Sequence, residues 1–141
     1  MSIITLILAG IVALEHLYIM YLETFATTSK KTAEVFQMDQ EELSRPSVNT
    51  LFKNQGIYNG LLAVLTLIAA FALGKIVLQL VLAYMILVAA YGAVTSQPKI
   101  LLMQGGLPIL TLIVSFFPSC EKSVSTAMLA IPSMMADATA L

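Results

Sequence analysis

Three side chains in the first apolar stretch of the sequence, Glu15, His16 and Glu23, could transfer a proton. An ionisable residue inside a membrane helix is costly unless it faces protein or water, so such residues point to a function. On a helix, His16 and Glu23 lie within about 20° of each other, and Glu15 lies about 80 to 100° around. One inward-facing arc can therefore hold all three. We predict that Glu15 is an acid or base and that His16 or Glu23 is its proton partner.

Amide and phenol side chains form a second polar group, which begins in the next apolar stretch. Two i,i+4 pairs there cover one broad side of a helix. If successive helices alternate in direction, this group lies beside Glu23 in the cytoplasmic half of the molecule, with Glu15 and His16 at its floor. The candidate ligand-binding residues are Asn54, Gln55, Tyr58, Asn59, Tyr91 and Gln104.

A purely structural role is the alternative for each of these residues. Asn, Gln and Tyr side chains in membrane helices often only bridge neighbouring helices, and each bridge contributes about 1 kcal/mol. A single histidine is commonly a satisfied helix contact. The sequence holds one His and one Cys and lacks an HExxH pattern, so it predicts no metal site. No motif indicates a particular cofactor.

Composition determines the elements that must hold these side chains. The chain is 59% hydrophobic and 11% charged, with a mean hydropathy of +0.92, and a soluble core cannot absorb that much apolar surface. Four apolar stretches approach the roughly 20 residues that cross a bilayer. Because the later separators are short, neighbouring helices must be antiparallel. The predicted helices cover residues 2–24, 52–73, 76–94 and 100–117.

The fold class that follows is all-α: residues 1–117 form one four-helix transmembrane up-and-down bundle with a longer first connection. The lipid bilayer is then the main partner, and no soluble catalytic module remains. A net charge of -1 without a Lys/Arg cluster excludes nucleic acid as a partner. Gly56 and Gly60 allow close helix contact, either within one chain or in a homodimer.

The first connection, residues 25–51, is polar and belongs in water. Within it, Val35 and Phe36 suggest a short amphipathic segment. Asp39 and Glu42 fit a capping box in front of a segment that ends at Pro46. A plain solvated connector is the alternative. The tail, residues 118–141, is left unassigned because its apolar run is too short to cross a bilayer.

Lys and Arg residues predict the orientation, because they favour the cytoplasmic side of a membrane. The first and third connections, counted together with Lys53 at the adjoining start of the second helix, hold five of them, and the N-terminus, second connection and tail hold two. We therefore predict a multi-pass cell-membrane protein with both termini outside. The five are Lys30, Lys31, Arg45, Lys53 and Lys99, and the two are Lys75 and Lys122.

The polar runs resemble a family of small bacterial membrane proteins, the domain of unknown function number thirteen-oh-four. The resemblance rests on Glu-His-Leu-Tyr-Ile-Met-Tyr-Leu-Glu at 15–23, Asn-Gln-Gly-Ile-Tyr-Asn-Gly at 54–60, Ala-Tyr-Gly at 90–92 and Gln-Gly at 104–105. It covers about residues 1–117 and implies a four-helix membrane protein that shares these polar residues. It implies no reaction, substrate or cofactor. After Phe117 the sequence departs from the family pattern.

Three functions fit these features. The first is a polar pocket that binds or converts a small apolar or lipid-like molecule, and in that case Glu15→Gln abolishes binding. The second is a proton-coupled transporter, by analogy with small multidrug exporters, although this chain has a long first connection and no Trp. The third is a structural or regulatory subunit. Its Asn54, Gln55 and Asn59 side chains would then bond to one another with no cavity among them.

Overall fold

The computed structural model describes residues 1–96 and 98–117, and the predicted tail 118–141 lies outside them. The described chain is all-α, as predicted, and contains no strand. Its α-helices are α1 (Ile3–Thr24), α2 (Lys30–Phe36), α3 (Gln40–Ser44), α4 (Pro46–Ile68), α5 (Lys75–Thr95) and α6 (Gly106–Phe116). A π-helical segment, Ala69–Leu73, extends α4, and a second, Leu101–Gly105, leads into α6.

Three of these helical stretches are long and apolar enough to cross a membrane. They are Ile3–Thr24, Pro46–Leu73 and Lys75–Thr95. The last helical stretch, Leu101–Phe116, is apolar but shorter. Apolar side chains cover much of the outer surface, including Ile3, Leu14, Phe71 and Leu87. Such a surface is suited to hydrocarbon rather than water.

Helices α1 and α4 form the closest pair, and two glycines of α4 explain why. A Cβ atom at Gly56 would collide with Thr24 and would lie 3.1 Å from the backbone oxygen of Met20. A Cβ atom at Gly60 would collide with the Met20 side chain. Both glycines therefore serve an intrachain contact, which was one of the two roles predicted for them.

The first connection is largely helical, and it packs on the ends of α1 and α4. Ser29 caps α2 by accepting a hydrogen bond from the Thr32 backbone N–H at 3.1 Å. The buried Thr32 hydroxyl in turn donates to the backbone oxygen of Ala26 at 2.7 Å. The Phe36 and Phe52 rings meet edge to face, with their centroids 5.2 Å apart. These contacts fix α2 against the ends of α1 and α4.

The ends of α3 and α4 differ from the sequence prediction. Asp39 is the N-cap of α3, but its side chain makes no capping hydrogen bond, and Glu42 pairs instead with Arg45 at 3.0 Å. Helix α4 begins at Pro46, well before the predicted residue 52. The reason is that proline suits the first helical position, where its missing N–H needs no partner. Pro46 was predicted to end a segment of the first connection, and it instead begins α4.

The apolar core lies in the half of the bundle remote from the first connection. Small residues, including Ala9, Ala69 and Ala70, let the π-helical end of α4 approach both α1 and α5. Helix α5 is tied to α6 at this end, where Gln79 Nε2 donates to Ser115 Oγ at 2.9 Å. In the other half, α4 and α5 contact each other little.

Candidate functional site

A cavity of about 710 Å³ fills the gap between α4 and α5 and opens to the surface. Its polar lining combines one imidazole from α1 with amides and phenols from the later helices. These polar residues are His16, Gln55, Tyr58, Asn59, Tyr84 and Gln104. Its apolar lining is Leu61, Leu62, Leu65, Leu80, Val81, Met85 and Val88. Five of the nine predicted site residues therefore meet around one space.

Asn59 is held in place from behind by Glu23. The Asn59 side chain is buried, and its Nδ2 donates to Glu23 Oε2 at 2.7 Å and to the Gln55 backbone oxygen at 3.3 Å. Glu23 is also buried, although it does not line the cavity. A carboxylate is a strong hydrogen-bond acceptor, so it fixes which way the amide points. The carbonyl oxygen Oδ1 is the atom that Asn59 can offer to a ligand.

His16 forms the floor of the cavity and is oriented by its own helix. Its Nδ1 lies 3.0 Å from the backbone oxygen of Val12. A carbonyl oxygen only accepts, so Nδ1 carries the hydrogen. In the neutral ring, Nε2 is then an acceptor. His16 is 3% exposed, and the cavity is the space that this ring lines.

Glu15 lies to one side of this arrangement. Its side chain is only partly buried, and it does not line the cavity. Its Oε2 atom is nevertheless buried, and within the described residues it has no hydrogen-bond partner. The expected arc of three groups is therefore divided: His16 and Glu23 face the α4 side, whereas Glu15 sits on the flank of α1.

Asn54 and Tyr91 do not join the cavity lining either. Asn54 is exposed on α4, and the Tyr91 ring is 72% exposed on α5. Asn54 and Tyr58 form an i,i+4 pair on α4, as predicted, but this spacing only places two residues on the same side of a helix. It does not determine which part of that side faces a neighbouring helix, and Tyr58 lines the cavity while Asn54 does not.

Gln104 reaches the cavity from a π-helical segment, Leu101–Gly105. A π-helical turn has an additional residue and so changes the register of the side chains that follow it. The sequence indicates a break near Gly105 and Gly106 but carries no specific sign of a π-turn. Gly105 packs against Ala89, since a Cβ atom there would lie 3.2 Å from the Ala89 Cβ.

Sequence reasoning missed the apolar wall, and it did not include Tyr84 among the site residues. Tyr84 lines the cavity with Leu80 and Met85, all on α5. Leucines in a membrane helix carry no signal that separates a ligand-facing residue from a lipid-facing one. In the described ranges, no three His, Cys, Asp or Glu side chains are grouped so that they could hold a metal ion.

A comparison with protein families decides where this chain belongs. Residues 10–116 match the model of the family described as "Protein of unknown function (DUF1304)". The chain belongs to this family. The family membership predicted from the polar runs is confirmed, and the matched residues include both walls of the cavity.

The chain is also similar to a curated protein from Lactococcus lactis subsp. lactis (strain IL1403), the uncharacterized protein YpaA. It is 59% identical over 119 residues, which make up 83% of this chain and 100% of the relative. No solved structure matches the chain.

Proposed function

We propose that this protein binds a small apolar or lipid-like molecule in the cavity between α4 and α5. The observation that carries the proposal is the composition of the cavity wall, in which six polar side chains are combined with seven apolar ones. A volume of about 710 Å³ also suits such a ligand, because small-molecule sites typically measure about 300–1,000 Å³.

The cavity changes from polar to apolar along α4. Gln55 and Asn59 line one end and Leu65 lines the other. At a helical rise of 1.5 Å per residue, Gln55 and Leu65 are about 15 Å apart along the axis. A molecule with a polar head and a hydrocarbon chain matches this gradient.

The mouth of the cavity supports loading from the bilayer. Leu61, Leu65 and Leu80 line the cavity and are also exposed on the outer surface. In a membrane, these side chains contact lipid chains. A lipid-like ligand therefore reaches the cavity sideways, between α4 and α5, without passing through water.

The bundle that holds the cavity crosses the cell membrane four times in this proposal, with both termini outside. The three long apolar helices support three crossings, and the shorter Leu101–Phe116 provides the fourth. The excess of Lys and Arg in the first and third connections then puts the polar end of the cavity in the cytoplasmic half.

A purely structural role fits the hydrogen bonds less well. The Asn59 amide is bonded to Glu23 and to the Gln55 backbone, not to the side chains of Asn54 and Gln55. A ligand-sized space also adjoins these residues. The Asn59–Glu23 bond itself bridges α4 and α1, so it is the adjoining space that favours binding over helix bridging alone.

Proton-coupled transport is a second candidate, and Glu15 is the observation that favours it. A buried carboxyl oxygen without a partner is costly in a folded protein. Such a group lowers the stability of the protein, and a role in carrying protons would explain why the protein keeps it. Proton-coupled flux in proteoliposomes that is lost in Glu15→Gln, while the cavity still binds its ligand, would establish this function in place of simple binding.

The binding proposal is tested by filling the cavity. Leu65→Trp adds a bulky side chain to its apolar wall, whereas Ile68→Trp adds the same side chain to an exposed position on α4 outside the wall. We expect native mass spectrometry to detect a bound lipid-like molecule on the wild-type protein and on Ile68→Trp. Leu65→Trp should lose it. Equal retention by both variants would contradict the proposal.

A further inference from the structure

We infer that the cavity selects an uncharged, single-chain lipid whose head group is a hydroxyl. This inference rests on the proposed function, that the cavity binds a lipid-like molecule, and it specifies the chemical class. The preference for a hydroxyl follows from three features of the wall: the atoms that can accept a hydrogen bond, the atoms that can donate one, and the lack of Asp, Glu, Lys and Arg among the described lining residues.

With His16 in the neutral form, in which Nε2 is an acceptor, the wall carries no formal charge that could neutralise an ionic head group. In the described part of the chain, the cavity-lining residues include no Asp, Glu, Lys or Arg. Lys53 is close in sequence, but it lies about 200° around α4 from Gln55. A carboxylate or phosphate group in this apolar cavity would lose its hydration without gaining a counter-charge, which is strongly unfavourable.

Two acceptor atoms require a ligand that donates. The Asn59 amide nitrogen is already committed to Glu23 and to the Gln55 backbone, so Asn59 presents its Oδ1. His16 Nδ1 is committed to the Val12 backbone, so the ring presents its Nε2. An ester, ether or ketone head group that displaces solvent from these two acceptors has no hydrogen to donate to them and would leave both unpaired, which is costly.

Four other groups can donate in return. The Gln55 and Gln104 amides and the Tyr58 and Tyr84 hydroxyls all line the cavity. A hydroxyl group both donates and accepts, so it is the smallest head group that uses both kinds of partner. The apolar residues along α4 and α5 then take one hydrocarbon chain, and a cavity of about 710 Å³ suits one chain.

The test uses three head groups on the same chain. The purified full-length protein is irradiated with a long-chain primary alcohol that carries a diazirine near the middle of its chain. A matched fatty acid probe is used at a pH at which it is ionised. Cross-linked peptides are mapped by mass spectrometry, and the unlabelled methyl ether of the alcohol serves as a competitor.

We expect the alcohol to label peptides from α4 or α5 about tenfold more strongly than the acid does, which is a tenfold difference in binding constant. Unlabelled alcohol should compete and its methyl ether should not. Labelling should persist in Ile68→Trp and disappear in Leu65→Trp.

Two failures are distinguishable. If the acid labels as strongly as the alcohol, or the ether competes as well, and Leu65→Trp still abolishes the labelling, the hydroxyl selectivity is wrong while lipid binding stands. If neither probe labels α4 or α5, or if Leu65→Trp leaves the labelling unchanged, the proposed function itself fails and this inference fails with it.

Discussion

The hydrogen bond between Glu23 and Asn59 links the two helices that define the polar end of the cavity. It joins residues 36 positions apart in the sequence, and both side chains are buried. Because Nδ2 of Asn59 is directed at Glu23, the same contact determines which atom of the amide remains free to accept a hydrogen bond. Under the proposed function, the pair therefore contributes to stability and to recognition through one geometry.

Removing the amide should destabilise the protein. Asn59→Leu leaves the buried Glu23 carboxyl group without its side-chain donor, and an unsatisfied buried group costs about 1–3 kcal/mol. Asn54→Leu is the matched control, because Asn54 is exposed on the same helix, and surface substitutions usually change stability by no more than about 0.5 kcal/mol. We expect thermal unfolding in detergent to shift down for Asn59→Leu only. Equal shifts in both variants would show that the Glu23 contact adds nothing.

Residue spacing was a good guide to which polar groups share a helix face, and a poor guide to the space between helices. His16, Gln55, Tyr58 and Asn59 were all predicted as site residues and all line the cavity. Tyr91 was predicted in the same way but is exposed away from it. Side-chain periodicity within one helix contains no information about the space between that helix and its neighbours.

Among the helices, α1 and α4 owe their close packing to glycine, and the two positions in α4 are not equivalent. At Gly56 an added Cβ meets α1 itself, including the Met20 backbone oxygen at 3.1 Å. At Gly60 it meets the far end of the Met20 side chain, which can move. Rotation of the Thr24 side chain relieves only part of the first contact, because Glu23 Cβ and the Met20 backbone oxygen cannot move without a small shift of α1.

Alanine substitutions test this difference. Gly56→Ala should lower the free energy of unfolding by about 1–3 kcal/mol through overpacking. Gly60→Ala should cost less, because Met20 can adopt another rotamer. Gly10→Ala is the control, since a Cβ there has no neighbour within 4 Å and alanine favours a helix by about 0.5–1 kcal/mol relative to glycine. A lower unfolding temperature for Gly60→Ala or Gly10→Ala than for Gly56→Ala would contradict this account.

The long helices were predictable because apolar runs of membrane length have few alternatives. Helix α1 begins and ends almost where its apolar run does. Helix α4 does not, because its first turns, from Pro46, are polar and project beyond the apolar stretch. Hydropathy identifies the part of a helix that lies in lipid, and local capping chemistry decides how far the helix continues outside it.

Taken as a whole, the bundle is packed at one end and open at the other. Alanine and leucine side chains close the end near Gly74, where α4 turns into α5. Toward the first connection the same two helices diverge around the cavity, and α1 supplies its floor. A closed end gives the open end a rigid support, so the polar groups keep their geometry without a ligand.

The orientation of this bundle is tested with cysteines introduced at the two ends. In a Cys120→Ser background, which removes the single native cysteine, we place cysteine at Lys31, Lys75, Lys99 or Phe117. If both termini lie outside, a membrane-impermeant maleimide should label the variants at Lys75 and Phe117 in intact cells. Those at Lys31 and Lys99 should react only after permeabilisation.

Each helix between two test positions can then be judged by itself. The reverse labelling pattern would overturn the orientation and place the polar end of the cavity outside. Protection of Phe117 together with Lys99 would show that Leu101–Phe116 does not cross, and the bundle would then have three crossings. Labelling of the cysteine variants at both Lys31 and Lys75 in intact cells would show that α4 does not cross the membrane. In that case the exposed leucines at the cavity mouth would not face lipid, and loading from the bilayer would be wrong as well.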